Sequence, residues 1–102
     1  MLTLSICYTF DPNRSADFKA YVDAEMEPIR RSGGTAIQYF LPTEFAGPTN
    51  QALGLIDFPS LADYERYRAA LAADADHKKN VERLEKSGAV LSMTRSIIKR
   101  VG

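Results

Sequence analysis

A chain of 102 residues has the length of one domain, expected to span 1–102 around a single core. Burying only about 60 to 65% of its unfolded surface, such a domain has reason to gain stability by self-association. Its 13 Lys+Arg balance 13 Asp+Glu, so no net charge draws it to phosphate backbones or anionic lipid, and neither a nucleic acid nor a membrane is an expected partner. The single cysteine, Cys7, excludes an intrachain disulfide and a multi-cysteine metal site, and no metal or cofactor is expected from the sequence. With no secretory-type apolar segment and no run long enough to span a bilayer, a reducing cytoplasm is the expected compartment.

In Leu2–Phe10 large apolar side chains hold the even positions and small polar ones nearly all the odd positions, the period of a half-buried strand. Asp11-Pro12-Asn13 ends it. Phe18, Tyr21, Val22, Met26 and Ile29 then recur at spacings of three and four, predicting a helix with Ser15 as N-cap. Pro28 inside that pattern predicts a kink or a ragged last turn, and Gly33-Gly34 its end. Strands are predicted near Thr35–Phe45 and Gln51–Phe58, joined as a hairpin by Ala46-Gly47-Pro48-Thr49-Asn50.

Ser60 followed by Asp63 approximates a capping box that opens a second helix, with Leu61, Tyr64, Tyr67, Arg68 and Leu71 near one face. Asp74-Ala75-Asp76 predicts an interruption. A further helical segment carries His77, Val81 and Leu84 inward before Gly88, and a last strand covers about Val90–Lys99.

Strand, helix, strand, strand, helix, strand is the α+β, ferredoxin-like β-α-β-β-α-β order: a four-stranded antiparallel sheet with helices on one face. The other face is left bare and calls for a partner, such as a second copy of the chain. Thr3, Ser5, Cys7 and Thr9 are expected there with Ser92, Thr94 and Ser96, small enough to leave a ligand cavity between two facing sheets. The alternative register turns the even positions of the last strand inward.

His77 is the only histidine and the first candidate for acid–base work or haem ligation, although its spacing to Val81 has a simpler reading as a helical residue packed on the core. Cys7 has no basic sequence neighbour to activate it, which favours an inert thiol lining the dimer interior. Tyr8, Tyr39, Tyr64 and Tyr67 form a phenol-rich set suited to a planar ligand or to a core with satisfied hydroxyls. Arg95, a charge in the middle of a strand, should meet a carboxylate such as Asp57, or a ligand anion. Lys78, Glu82 and Lys86 have helical ion-pair spacing on a solvated face. No phosphate loop, nucleophile elbow or metal-spaced carboxylate cluster occurs.

From Asn50 to His77 the text NQALGLIDFPSLADYERYRAALAADADH resembles the NIPSNAP family of dimeric α/β-barrel proteins. Pro12, Phe18, Gly33-Gly34 and Tyr39 extend the likeness over nearly the whole chain. The resemblance implies a ferredoxin-like protomer that pairs through its sheet into a closed barrel. It also implies a superfamily that includes small monooxygenases, haem-degrading enzymes and proteins without known activity. Family members often place a histidine and a tryptophan on the third strand, where this chain has Gly54 and Ile56, and an Asp-Pro-x-Trp where it has Asp74-Ala75-Asp76-His77. Haem-degrading relatives use an asparagine in the first strand, which Cys7 replaces, and a tryptophan that this chain lacks. The leading expectation is a homodimer binding a small apolar or aromatic molecule in a pocket bordered by Cys7, Tyr39, His77 and Arg95. Alternatives are a cofactor-independent monooxygenase or haem-degrading enzyme built on His77, and an adaptor without chemistry.

Overall fold

The N-terminal alternation is realised in the computed structural model, which describes residues 1–102, as a strand with one face against helices. The elements are β1 (Leu2–Phe10), α1 (Ser15–Arg31), β2 (Thr35–Phe40), β3 (Gln51–Phe58), α2 (Leu61–Ala73), α3 (Ala75–Ser87) and β4 (Val90–Lys99). They form one antiparallel sheet in the order β2-β3-β1-β4, the ferredoxin-like arrangement predicted from the element order. No helix is long and apolar enough to cross a membrane.

The two central strands hold the core. Leu4, Ile6, Tyr8 and Phe10 of β1 and Ala52, Ile56 and Phe58 of β3 pack against Phe18, Val22 and Ile29 of α1 and Tyr67 of α2. Phe10 stacks on Phe18 with ring centroids 5.2 Å apart, and Tyr8 meets the same ring edge-on at 5.0 Å. Met26, expected on this stripe, lies outside it, because spacings of four and three from Phe18 lead through Val22 to Glu25 and then Ile29.

Several boundaries differ from expectation for local reasons. Ser15 is the first residue of α1 and not its cap. The capping is done one turn earlier, where the Asp11 carboxylate accepts from the Asn13 N–H at 2.9 Å and Pro12 opens a short 3-10 turn with its φ already set. β2 stops at Phe40 rather than Phe45, since Pro42 has no N–H for a ladder. Within β2 the register slips between Thr35 and Gln38, and Ala36 adopts φ 47°, the left-handed conformation at a bulge. Ser60 caps α2 as predicted, accepting from Asp63 N–H at 3.2 Å. Leu61 is exposed, and Tyr64 and Tyr67 make the aromatic contacts with Phe58 at 5.4 and 4.7 Å. Of the two ion pairs expected on α3, only Lys86–Glu82 forms, at 2.9 Å.

Paired positions of β1 and β4 settle which side chains share a face. Cys7 opposes Thr94, Ser5 opposes Ser96 and Thr9 opposes Ser92 on the face without helices, while Ile6 opposes Arg95 and Tyr8 opposes Met93 on the helix side. The alternative register for β4 is therefore excluded. No helix covers the helix side of β4 closely, and every β4 residue except Val90 is exposed.

Candidate functional site

The most unusual side chain of the core is Glu25, 1% exposed on the apolar stripe of α1. A carboxyl group taken out of water costs several kcal/mol (about 3–5 if its partner is removed) unless hydrogen bonds replace the solvent. Three replace it here. Oε2 accepts from Tyr21 OH at 3.3 Å and shares a hydrogen bond with His77 Nδ1 at 2.5 Å, and Oε1 accepts from Asn80 Nδ2 at 3.1 Å.

Asn80 also answers Pro28. A proline cannot donate to the carbonyl four residues earlier, which is that of Ala24, and Asn80 Nδ2 donates to Ala24 O at 3.2 Å. Pro28 does not end α1, which runs on to Arg31, its missing bond supplied from α3. His77 and Asn80, three residues apart, thus dock one face of α3 on the interior of α1.

The first turn of α3 fixes His77 from its other end. Asp74, extended between α2 and α3, accepts from His77 N–H at 3.0 Å and is gripped by Arg31 through bonds of 2.7 and 2.8 Å. The Arg31 guanidinium, helped by the His77 N–H, holds the Asp74 carboxyl well below the usual carboxylate range. With Nδ1 occupied by Glu25, Nε2 is the imidazole nitrogen left to act on anything else.

Four phenols surround this centre. Burial pushes Tyr8, Tyr21, Tyr39 and Tyr67 above the ordinary tyrosine value, so each stays a neutral donor at physiological pH. Around Tyr8 the nearby Arg95 charge works in the opposite direction. The Tyr8 and Tyr39 hydroxyls stand 3.5 Å apart. Tyr39 lies flat over Gly54, where an added Cβ would come within 2.7 Å of the ring, so glycine at that β3 position makes room for a tyrosine on β2.

These groups converge on a cavity of about 140 Å³ between sheet and helices, walled by Leu4, Ile6, Tyr8, Ile29, Tyr39 and Tyr67, with Glu25, Arg68, His77 and Arg95 as its charged or titratable lining. A wider cleft of about 450 Å³ between α3 and β4 shares Tyr8, Tyr21, His77 and Arg95 with it.

Tyr39, His77 and Arg95 are brought together here, as the sequence reading expected. Cys7 is not: it stands exposed on the opposite face of the sheet, so the strand-one wall of this cavity is the large even residues and not the small odd ones. The space between two facing sheets is accordingly not where this cavity lies. Arg95 does not meet Asp57 either, because β4 and β3 present them to opposite faces. Asp57 accepts instead from Thr3 Oγ1 at 2.6 Å and from Arg100 at 3.0 Å. Tyr64 points away, bonded by Arg68 at 3.1 Å. Glu25 and Asn80 were not legible as site residues, although an acid seven residues beyond Phe18 on an apolar stripe was a signal. No group of three His, Cys, Asp or Glu side chains stands as a metal site.

The family model described as NIPSNAP matches residues 4–102. Comparison with curated proteins finds no match. Among solved structures, the chain is similar to an uncharacterized NIPSNAP-like domain protein from Burkholderia xenovorans, at 27% identity over 98% of this chain and 84% of that one, with a TM-score of 0.79. It is similar to a NIPSNAP family protein from Agrobacterium tumefaciens at 21% identity over 98% and 92% of the two chains, TM-score 0.81. An antibiotic biosynthesis monooxygenase shares the fold at 11% identity over 100% of each chain, TM-score 0.65. At that identity the likeness speaks to fold alone.

Proposed function

The chain belongs to the NIPSNAP family, and we propose that it is a homodimeric member that binds a small, largely apolar or aromatic molecule on the helix side of its sheet. The observation that carries this is the cavity between β1, α1 and α2, apolar on most of its wall yet supplied with a few convergent polar groups at His77, Arg95 and the tyrosine hydroxyls. That combination is the general form of a small-molecule site. Pairing through the other face is supported by its half-exposed Phe40 and Ile98 beside small hydroxyl residues, a surface that a second copy would cover.

Native mass spectrometry of the purified protein, followed by fragment titration against the ring resonances of the only histidine, tests both parts. A dimer that retains a small molecule, or aromatic fragments that shift His77, is the expected result. A monomer overturns the pairing, and a His77 signal unmoved by every aromatic fragment overturns the site.

A second reading makes the site catalytic, and the Glu25–His77 pair favours it. A carboxyl group bonded to Nδ1 orients the imidazole and leaves Nε2 free to face a substrate proton, the geometry that a cofactor-independent oxygenation of an acidic aromatic substrate requires first. Oxygen uptake with phenolic substrates, lost in His77→Ala, is its signature; no uptake with any substrate that binds leaves the protein a binder.

A further inference from the structure

The proposed pocket has a charge pattern that narrows its ligand. Arg95 sits at mid-strand on β4, opposite Ile6, and lines both the inner cavity and the outer cleft, so its guanidinium marks the junction between them. Nine ion pairs join charged side chains elsewhere on the chain, and Arg95 takes part in none. Close enough to Arg95 to feel its charge is a neutral group, the Tyr8 phenol, whose proton burial retains.

The other charges facing the cavity do not compensate it. Glu25 is committed to Tyr21, His77 and Asn80. Arg68 adds a second cation, donating only to the Tyr64 hydroxyl. Glu85, on the wall of the outer cleft, is exposed to solvent and outside the inner cavity. An arginine in the centre of a strand, against a largely apolar wall, presents a planar fork with no internal acceptor, and planar anions fill such forks through paired charge-assisted hydrogen bonds.

Resting on the reading that this cavity binds a small molecule, we propose that the ligand is a flat organic acid, its carboxylate on Arg95 and its apolar body among Tyr8, Tyr39 and Tyr67. The anion then replaces the water that otherwise solvates Arg95, and the rings supply contact area without demanding further hydrogen bonds.

The test uses 2-naphthoate and its neutral isostere 2-naphthamide, titrated into the wild-type protein and Arg95→Gln at low salt, with the His77 ring signals reporting location. The expected result is naphthoate binding about tenfold tighter than naphthamide, the scale of one charge-assisted contact. In Arg95→Gln the two affinities should fall within about twofold of each other, with an unchanged circular dichroism melting curve reporting an intact fold. Arg68→Gln should leave most of the preference. Equal affinities in the wild-type protein, or a preference untouched by Arg95→Gln, overturn the anion assignment while the pocket stands. Shifts of His77 by neither probe overturn the pocket itself.

Discussion

The two faces of one sheet are built on different plans, though β1 supplies side chains to both. On the helix side, large even-numbered residues enclose an interior with a polar centre: Glu25, His77, Asn80 and Tyr21 in one connected set. On the other face, small odd-numbered residues of β1 are joined by the buried pair Thr3–Asp57, which the exposed Arg100 reaches from beyond β4. The first face is finished by helices over β1 and β3 and left open along β4, and the second carries no helix at all. A site that must hold its groups at fixed positions belongs on the finished face, and the proposed pairing surface lies on the other.

The contrast predicts a large asymmetry in stability. Phe58 is fully buried and wedged among Tyr64 and Tyr67, so Phe58→Ala should cost about 3–5 kcal/mol in chemical denaturation, enough to unfold a small domain. Phe40, half exposed at the bare face, should cost under about 1 kcal/mol when replaced by alanine at high dilution. Its cost should grow with protein concentration if a second copy covers it. A Phe40→Ala penalty as large as that of Phe58→Ala in dilute protein would erase the distinction between the faces.

Within the finished face the polar centre has its own internal logic. Asn80→Ala removes a donor from both Glu25 and the Ala24 carbonyl and should cost about 2 kcal/mol. Part of that cost exists only because Pro28 cannot supply an N–H. In a Pro28→Ala background the helix can bond the Ala24 carbonyl itself, and the Asn80→Ala penalty should shrink by about 1 kcal/mol, a coupling that a double-mutant cycle measures. Additive penalties would show that Asn80 serves Glu25 alone.

This pairing also shows where the sequence was readable and where it was not. Alternation in Leu2–Phe10, the Ser60–Asp63 cap and the Asp74 break are local signals, and each is realised as read. The element order carries the topology, and Tyr39, His77 and Arg95 do share a cavity, though on the helix side and not between two facing sheets. What failed depended on partners distant in sequence. Glu25 went unread because its two partners on α3 lie 52 and 55 residues away. Pro28 was read without its remedy, which comes from Asn80. Asp57 looked like the partner of Arg95 until the register assigned each to its face, with Arg100 coming from beyond the end of β4. Cys7 was grouped with the site because alternation tells which residues share a face, and only the location of the cavity tells which face matters.

A smaller effect separates the helix side by pH. Asp74 is held below its ordinary value of 3.8 by Arg31, so the stabilisation it provides is complete above that value and is lost as pH falls through the lower folded-state value. Asp74→Asn should therefore lose stability at neutral pH and show a shallower acid decline than the wild-type protein below about pH 4. Arg31→Gln should reproduce the same flattening, because it removes the cause of the shift. An acid limb unchanged in both variants would assign the decline to other carboxyl groups.

The smallest expected effect lies on the unfinished face. Cys7 borders only Leu53 and Thr94 across the sheet and is exposed, so Cys7→Ser should change stability by no more than about 0.5 kcal/mol and leave fragment shifts at His77 intact. Its thiol is nevertheless the best reporter of whether that face is covered. Reaction with a bulky maleimide should be fast in dilute protein and slow by about the fraction of chain assembled as concentration rises, if two copies meet across β1 and β4. A thiol equally reactive at every concentration would mean that the small odd residues of β1 face solvent after all, and that the pairing surface of this protein must be sought elsewhere.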